Sequence, residues 1–258
     1  NGKGNSGKSY QANRHGVGEF WCHKIDADGN IQWQRYFGGT NNDRSYDAIQ
    51  TRQGNFLVVG TSESEDVDVK NPKGGYDVWV VMVSPSGDLI WENSYGGSLV
   101  DEASKVIEDS YGNFRIIGNT HSKDMDVTNA KGSSDVWQIT IDKSGKLINS
   151  YNFGGSDFDR GTAISEGKWG ELFITGYSRS FNGDMISNQG ENDIFLIYSP
   201  DPRSNFKTIC VGGEGQDFAY DILIQSDGGV TVVGESFSKN KHFQNNKGKS
   251  DILVVRWH

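Results

Sequence analysis

A repeat with a period of 58 residues runs along this chain and constrains its fold more than any other feature. A Gly-Gly pair marks each copy, at Gly38-Gly39, Gly96-Gly97, Gly154-Gly155 and Gly212-Gly213. An acidic residue opens an apolar run at Glu19, Asp77, Asp135, Asp193 and Asp251. Markers that stay in phase over the whole chain indicate tandem copies of one small structural unit.

Each unit contains short runs of β-branched and aromatic residues that are separated by turn residues, which is typical of antiparallel strands. In the first full unit we predict strands near 45–51, 55–61, 77–83 and 88–95, with Gly54 and Gly87 in hairpin turns. A four-stranded sheet of this size cannot bury both faces alone, so copies must pack face to face. The sequence therefore predicts an all-β protein, a β-propeller of four-stranded antiparallel blades. A linear β-solenoid is the alternative, but its repeats are shorter and its strands parallel.

The repeat also sets the expected domain organisation. Residues 1–18 form a polar lead-in, and residues 19–258 form a single propeller domain. The repeat units are 38–95, 96–153, 154–211 and 212–258, and the last is expected to be completed by residues 19–37. This closure gives four blades, with five blades as the alternative.

Composition excludes several classes of function. The net charge of −9 and the isoelectric point near 5.0 disfavour nucleic acid as a partner. No apolar run is long enough for a transmembrane segment. Cys22 and Cys210 fit neither a metal motif nor a disulfide framework, so we expect two thiols, with a single bridge as the alternative. We expect the protein to be a monomer. We expect no cofactor, with a bound calcium ion as the alternative.

The repeat residues resemble a known family. The string YFGGTNNDRSYDAIQTRQGNFLVVGTSESEDVDV, followed by KGGYDVWVVMVSPSGDLIWENSYGG, is similar to the bacterial SBBP-type β-propeller repeat. The resemblance extends from about residue 19 to the C-terminus. It implies a propeller in a secreted or surface-attached protein of Bacteroidetes-like bacteria. It implies no catalytic residues, because this repeat is a scaffold.

Two sets of phased aspartates are predicted to brace turns rather than to perform chemistry. The first set follows the Gly-Gly pairs, at Asp43, Asp101, Asp159 and Asp217. The second set opens the third strand of each unit, at Asp77, Asp135, Asp193 and Asp251.

The connection between the second and third strands is the longest in each unit, and long loops on a rigid scaffold are where binding usually occurs. These loops are 62–73, 120–131, 178–189 and 236–247. The candidate ligand-binding residues in them are Ser64, Asp66, Asp68, Ser122, Asp124, Asp126, Ser180, Phe181, Asn182, Asp184, Ser238, Asn240 and His242. The serines have a second interpretation, hydrogen bonding within their own turns. Asp66, Asp68, Asp124 and Asp126 form D-x-D pairs that could hold calcium, although later copies lose the pattern.

Recurrence separates aromatic residues of the core from candidates for binding. Trp21, Trp79 and Trp137 share one phase with Phe195 and Leu253, so we predict that all of them pack in the core. The aromatics that do not recur could stack on a sugar ring or be ordinary exposed residues; they are Tyr10, Tyr111, Trp169, Phe181 and Phe243.

No catalytic residue is predicted, because the histidines form neither a triad nor a zinc motif. Three hypotheses follow. The first is an exported, non-enzymatic propeller that binds a glycan or a surface protein through its long loops. The second is a structural spacer of a larger cell-surface protein. The third is a glycan-active lyase or hydrolase.

Overall fold

A computed structural model describes residues 16–200, 206–244 and 246–257. These residues form antiparallel β-strands and no helix, as the repeat pattern predicts. In chain order the strands are β1 (Phe20–Ile25), β2 (Ile31–Phe37), β3 (Asp43–Gln50), β4 (Phe56–Ser62), β5 (Asp77–Val83), β6 (Leu89–Tyr95), β7 (Asp101–Glu108), β8 (Phe114–Thr120), β9 (Asp135–Ile141), β10 (Leu147–Phe153), β11 (Asp159–Glu166), β12 (Leu172–Ser178), β13 (Asp193–Ser199), β14 (Lys207–Val211), β15 (Asp217–Ile224), β16 (Val230–Ser236) and β17 (Asp251–Trp257).

Successive strands pair along the chain and make one sheet from each repeat. Within the described ranges, three sheets have four strands, in the orders β3-β4-β5-β6, β7-β8-β9-β10 and β11-β12-β13-β14. A two-stranded sheet, β1-β2, precedes them, and a three-stranded sheet, β15-β16-β17, follows. The four strands predicted for the first full unit agree with β3 to β6 within two residues at each end.

The sheets pack face to face in the order of the chain. The central strands β5 and β9 are buried along their whole length. Buried side chains from neighbouring sheets share one cluster: Val78 packs with Trp137, and Val136 packs with Phe195. A backbone hydrogen bond also joins each pair of neighbours, for example from Asp101 N to Tyr76 O at 2.6 Å. This stacking of four-stranded antiparallel sheets is the architecture of a β-propeller.

Residues 19–37, which were expected to complete the last repeat, form no strand pairing with it in the described chain. β1 pairs only with β2, and β17 pairs only with β16. The hairpin packs instead on the sheet that follows it, because Phe20 lies against Trp79 in the way that Val78 lies against Trp137. Hydrogen bonds from Asp43 N to Gly18 O and from Gly16 N to Gly39 O, both 2.9 Å, extend this contact.

The last residues of the predicted lead-in therefore belong to the sheet stack, whereas residues 1–15 lie outside the described residues.

The prediction of a core position for Trp21 is wrong, since its side chain is 56% exposed while Trp79 is fully buried. Among the described residues, β2 is the strand that pairs with β1, and the other edge of β1 is unpaired. A groove of about 410 Å³ is lined by Trp21 of β1, Tyr46 of β3 and Phe56 of β4.

Strand alternation divides the connections between two faces of the molecule. The Gly-Gly segments and the long connections, such as 38–42 and 63–76, meet on one side, which we call the loop face. The hairpin turns, such as 51–55 and 84–88, lie at the opposite ends of the strands, on the turn face. No helix of the described residues is long and apolar enough to cross a membrane.

Candidate functional site

A buried carboxylate organises the loop face in every repeat. In the second sheet, Asp101 accepts hydrogen bonds from Gly97 N at 2.7 Å, from Ser122 Oγ at 2.8 Å and from Thr120 Oγ1. The side chain of Asp101 is fully buried. The same arrangement surrounds the phase-related aspartates Asp43, Asp159 and Asp217. These aspartates fix the Gly-Gly segment against the long loop.

The candidate serines belong to this frame. Ser64, Ser122, Ser180 and Ser238 are all buried. Each hydroxyl donates to the aspartate of its repeat and accepts a backbone N–H, as Ser122 Oγ does from Leu99 N at 2.9 Å. These hydroxyls satisfy partners inside the protein and are not exposed to a ligand.

The D-x-D residues also accept hydrogen bonds from the Gly-Gly segment and the residue that follows it. Asp66 Oδ1 accepts from Thr40 N at 2.8 Å, and Asp68 Oδ2 accepts from Gly38 N at 3.3 Å. Asp124 and Asp126 repeat both bonds in the second sheet. Asn182 and Asp184 do so in the third sheet.

The fourth copy keeps the frame with different chemistry. Asn240 Oδ1 accepts from Glu214 N at 2.9 Å. His242 Nδ1 lies 3.2 Å from Gly212 N and 2.9 Å from Gly212 O. The loss of carboxylates from this copy therefore leaves the loop conformation intact.

The suggested calcium ligands accept hydrogen bonds from the backbone. Asp66 and Asp68 each accept from a different amide group, Thr40 N and Gly38 N. Over the described ranges no group of three or more His, Cys, Asp or Glu side chains could hold a metal ion. The geometry gives these carboxylates a role in bracing the loop.

The residue between the two D-x-D positions is exposed in every repeat, including the two copies in which the pair is not D-x-D. Val67, Met125, Gly183 and Lys241 all have positive φ, with values of 56°, 53°, 66° and 56°. Met125 is 60% exposed and Val67 is 42% exposed. The residue before each pair is also exposed in every copy: Glu65, Lys123, Phe181 and Lys239. Two exposed positions per repeat therefore vary on a constant frame.

A second acidic residue is buried where neighbouring sheets meet. Asp77 Oδ2 accepts from Lys73 N at 2.6 Å, whereas Asp77 Oδ1 is buried without a hydrogen-bond partner. Burial raises the pKa of Asp77 to about 7, and the nearby Asp101 carboxylate adds to the rise. Burial raises the pKa of Asp193 to about 7 as well, with a contribution from Asp217.

Glycine is required between these two carboxylates. A Cβ on Gly96 would lie 2.6 Å from Asp77 Oδ1 and 2.7 Å from Asp101 Oδ2, closer than real Cβ contacts. The first glycine of the pair therefore lets the acids of adjacent sheets approach one backbone segment.

Lysines at the ends of the long loops connect adjacent copies. Lys73 Nζ lies 3.8 Å from Asp126 Oδ2, and Lys131 Nζ forms an ion pair with Asp184. The D-x-D pair of one sheet is thereby tied to the loop of the preceding sheet.

The non-recurring aromatics separate between the two faces. Phe181, which is 64% exposed, lies on the loop face. Tyr111 and Trp169 are exposed in hairpin turns of the turn face. Phe243 is half-buried and packs against the last sheet, and Tyr10 lies outside the described residues.

The candidate binding residues predicted from the sequence alternate along each loop with the exposed, variable positions. The prediction selected the recurring polar residues, which the frame uses, and among the variable positions it selected only Phe181. The alternation of constant and variable residues in S-x-[DN]-x-[DNH] contains the signal for the rest.

Comparison with known proteins defines the fold without naming a family. Neither a scan against protein-family models nor a search of curated proteins found a match. Among solved structures, the chain is similar to a thermostable family-43 glycoside hydrolase, with a TM-score of 0.50 and 9% identity over 86% of this chain and 78% of that chain. It is also similar to a Bifidobacterium bifidum s17 protein described as a candidate exo-beta-1,3-galactanase, with a TM-score of 0.46 and 10% identity over 92% and 78% of the two chains. At these identities, the likeness to the family-43 enzyme shows a shared propeller-like all-β fold.

Proposed function

We propose that this protein is an exported or surface-attached binding module that recognises a surface protein or a glycan through its loop face. One observation carries the proposal. The recurring polar residues hold a rigid frame, and the frame displays two exposed positions per repeat whose residues differ between copies. A rigid scaffold with variable loop residues is a common basis of recognition.

The chemistry of the displayed residues favours a protein over a glycan. Met125 and Phe181 contribute exposed apolar side chains to the loop face, and Lys123, Lys239 and Lys241 contribute exposed positive charge. Aromatic residues and methionine are enriched at protein interfaces, and a charged rim adds electrostatic selectivity. These lysines would attract an acidic partner patch locally, against the overall repulsion from a protein of net charge −9.

Binding screens with two matched variants test the proposal. The immobilised chain is screened against extracellular proteins and against a glycan array, in calcium and again in chelator. We expect a protein ligand whose binding is reduced at least about tenfold by Met125→Asp with Phe181→Asp, since removal of central apolar anchors costs more than 1 kcal/mol. Trp169→Ala, on the opposite face, is expected to leave that binding unchanged.

Other outcomes identify the alternatives. Silence in both screens would favour a structural spacer. Glycan binding that chelator abolishes would restore calcium to the D-x-D loops.

A glycan-active enzyme is the second candidate, suggested by the fold that the chain shares with a family-43 glycoside hydrolase. Glycosidases need two carboxyl groups about 5–10 Å apart that face the substrate. The recurring buried aspartates of this chain face backbone donors instead. Release of reducing ends from neutral polysaccharides by the purified chain would establish this alternative, and we expect none.

A further inference from the structure

On the turn face, a glutamate connects the inner hairpin turns of neighbouring sheets. Arg52 N donates to Glu108 Oε2 at 2.7 Å, and Ser110 N donates to Glu166 Oε2 at 2.7 Å. In both junctions the acceptor is the last residue of the first strand of the following sheet. The inner hairpin turn of one sheet is therefore hydrogen-bonded to the first strand of the next sheet.

This connection is interrupted at the third junction. The position of Glu108 and Glu166 is occupied by Ile224, the last residue of β15, which has no side-chain acceptor. A cleft of about 310 Å³ lies here, between the turn that follows β11 and the turn that follows β15. A smaller pocket of about 160 Å³ lies at the first junction, where Glu108 forms part of its lining. The junction without the bridging glutamate has the larger of these two openings.

The cleft has an aromatic wall and an apolar floor. Trp169 stands at its edge with 79% of its side chain exposed, and Phe173 and Ile224 line its base. The turn that carries the indole is fixed, because Trp169 N donates to Glu171 Oε2 at 2.9 Å. The Lys168 Nζ atom lies over the indole, 4.9 Å from the ring centroid.

The acids of the cleft are engaged within the protein. Asp227 pairs with Arg256 Nη2 at 2.5 Å, and Glu171 holds the turn that carries Trp169. The Lys168 ammonium lies beside the indole and has hydrogens to donate to a ligand.

We infer that this cleft binds a pyranose ring of a neutral glycan. The C–H face of the sugar stacks on Trp169, and Lys168 Nζ donates to a sugar oxygen. A volume of about 310 Å³ is near the lower end of the range for ligand sites. The two acids of the cleft, Glu171 and Asp227, are balanced by Lys168 and by Arg256, so the cleft has no net charge and suits a neutral sugar. This site is on the opposite face from the proposed protein-binding surface and does not depend on it.

Titration of the whole chain with neutral hexasaccharides of glucose, mannose, xylose and galactose, followed by calorimetry, tests the inference. We expect at least one of them to bind with a Kd in the micromolar to millimolar range and with a stoichiometry of one. Trp169→Ala should weaken this binding about tenfold or more, which corresponds to about 1.4 kcal/mol of stacking.

A second variant changes the cleft without removing the indole. Ile224→Glu introduces the residue found at the two bridged junctions, and it is expected to join the two turns and abolish sugar binding while the protein stays folded. Tyr111→Ala, at the equivalent turn of a bridged junction, is the matched control and should not alter binding. Met125→Asp with Phe181→Asp should leave sugar binding intact, which separates failure of this site from failure of the loop face.

Absence of binding by all four hexasaccharides at about 5 mM, above the millimolar limit of useful affinity, would overturn the inference. Binding that Trp169→Ala and Ile224→Glu leave unchanged would overturn it equally.

Discussion

At the scale of single residues, the loop face depends on one buried carboxylate in each repeat. Asp101 connects three donors from two separate segments: Gly97 before its own strand, and Thr120 at the end of the next strand with Ser122 just after it. The sequence showed that this aspartate braces a turn, because it follows a Gly-Gly pair at a fixed distance. It did not show the hydroxyl partners, because they depend on the register that brings Thr120 opposite Asp101.

We expect Asp101→Ala to lower the free energy of unfolding by about 3 kcal/mol or more. The substitution leaves a buried N–H and two buried hydroxyls without their acceptor, and each unsatisfied group costs about 1–3 kcal/mol. Urea unfolding followed by fluorescence measures the change.

Asp124→Asn is the matched control, because Asn182 and Asn240 already fill that position in other repeats. Its urea midpoint should equal that of the parent chain. An equal loss of stability in both variants would contradict the distinct roles given to the two aspartates.

At the scale of elements, the long loop turns sharply at a residue of positive φ. Glycine or asparagine suits this conformation, whereas Val67 is β-branched and is unfavourable there. The strand boundaries could be predicted from the sequence because alternating apolar residues and turn glycines mark them. The positive φ could not, because three of the four copies have a side chain at this position.

Val67→Asn is expected to raise the free energy of unfolding by about 1 kcal/mol, through relief of this backbone conformation. Thermal unfolding monitored by circular dichroism would show a rise in Tm. Gly183→Ala provides the opposite test, since a Cβ at Gly183 would collide with the Gly154 carbonyl oxygen, and we expect its Tm to fall. If Val67→Asn lowered the Tm, the valine would have a stabilising contact that outweighs its conformation.

The sequence also did not show which sheet each strand pair packs against. The period showed that residues 19–37 are the last two strands of a repeat unit, but it could not show on which neighbour they pack. The contact of Phe20 with Trp79 decides this. The role of Ile224 could not be predicted for a related reason. The replacement of glutamate by isoleucine at this repeat position can be interpreted only when the hydrogen bonds of Glu108 and Glu166 to the neighbouring turns are known.

At the scale of the whole molecule, the stack of sheets accumulates buried acids at its interfaces. Burial raises the pKa values of Asp101, Asp135 and Asp159 as well as those of Asp77 and Asp193. An unfolded aspartate has a pKa of about 3.9, so between about pH 4 and pH 7 the folded protein binds more protons than the unfolded chain. Stability is then greatest at the acidic end of this window and decreases as the pH rises towards 7.

We therefore expect the Tm at pH 5.5 to exceed the Tm at pH 8 by several degrees. Asp26, Asp124 and Asp142 have lowered pKa values, so their opposing effect begins only below about pH 4. Scanning calorimetry over this pH range provides the measurement. Asp77→Asn with Asp193→Asn removes the two groups with the largest shifts and should flatten the profile, mainly by raising the Tm at pH 8. A Tm that increases from pH 5.5 to pH 8 in the parent chain would refute this account.

The same backbone hydrogen bond joins neighbouring sheets at every described junction, as between Asp101 N and Tyr76 O. Each sheet therefore recognises only a neighbour of its own kind and not a particular position in the chain. A genetic deletion or duplication of one full period, begun at any residue, would join segments that already fit each other. Such a chain can change its number of sheets by recombination in a single step and still have a closed core at every remaining junction.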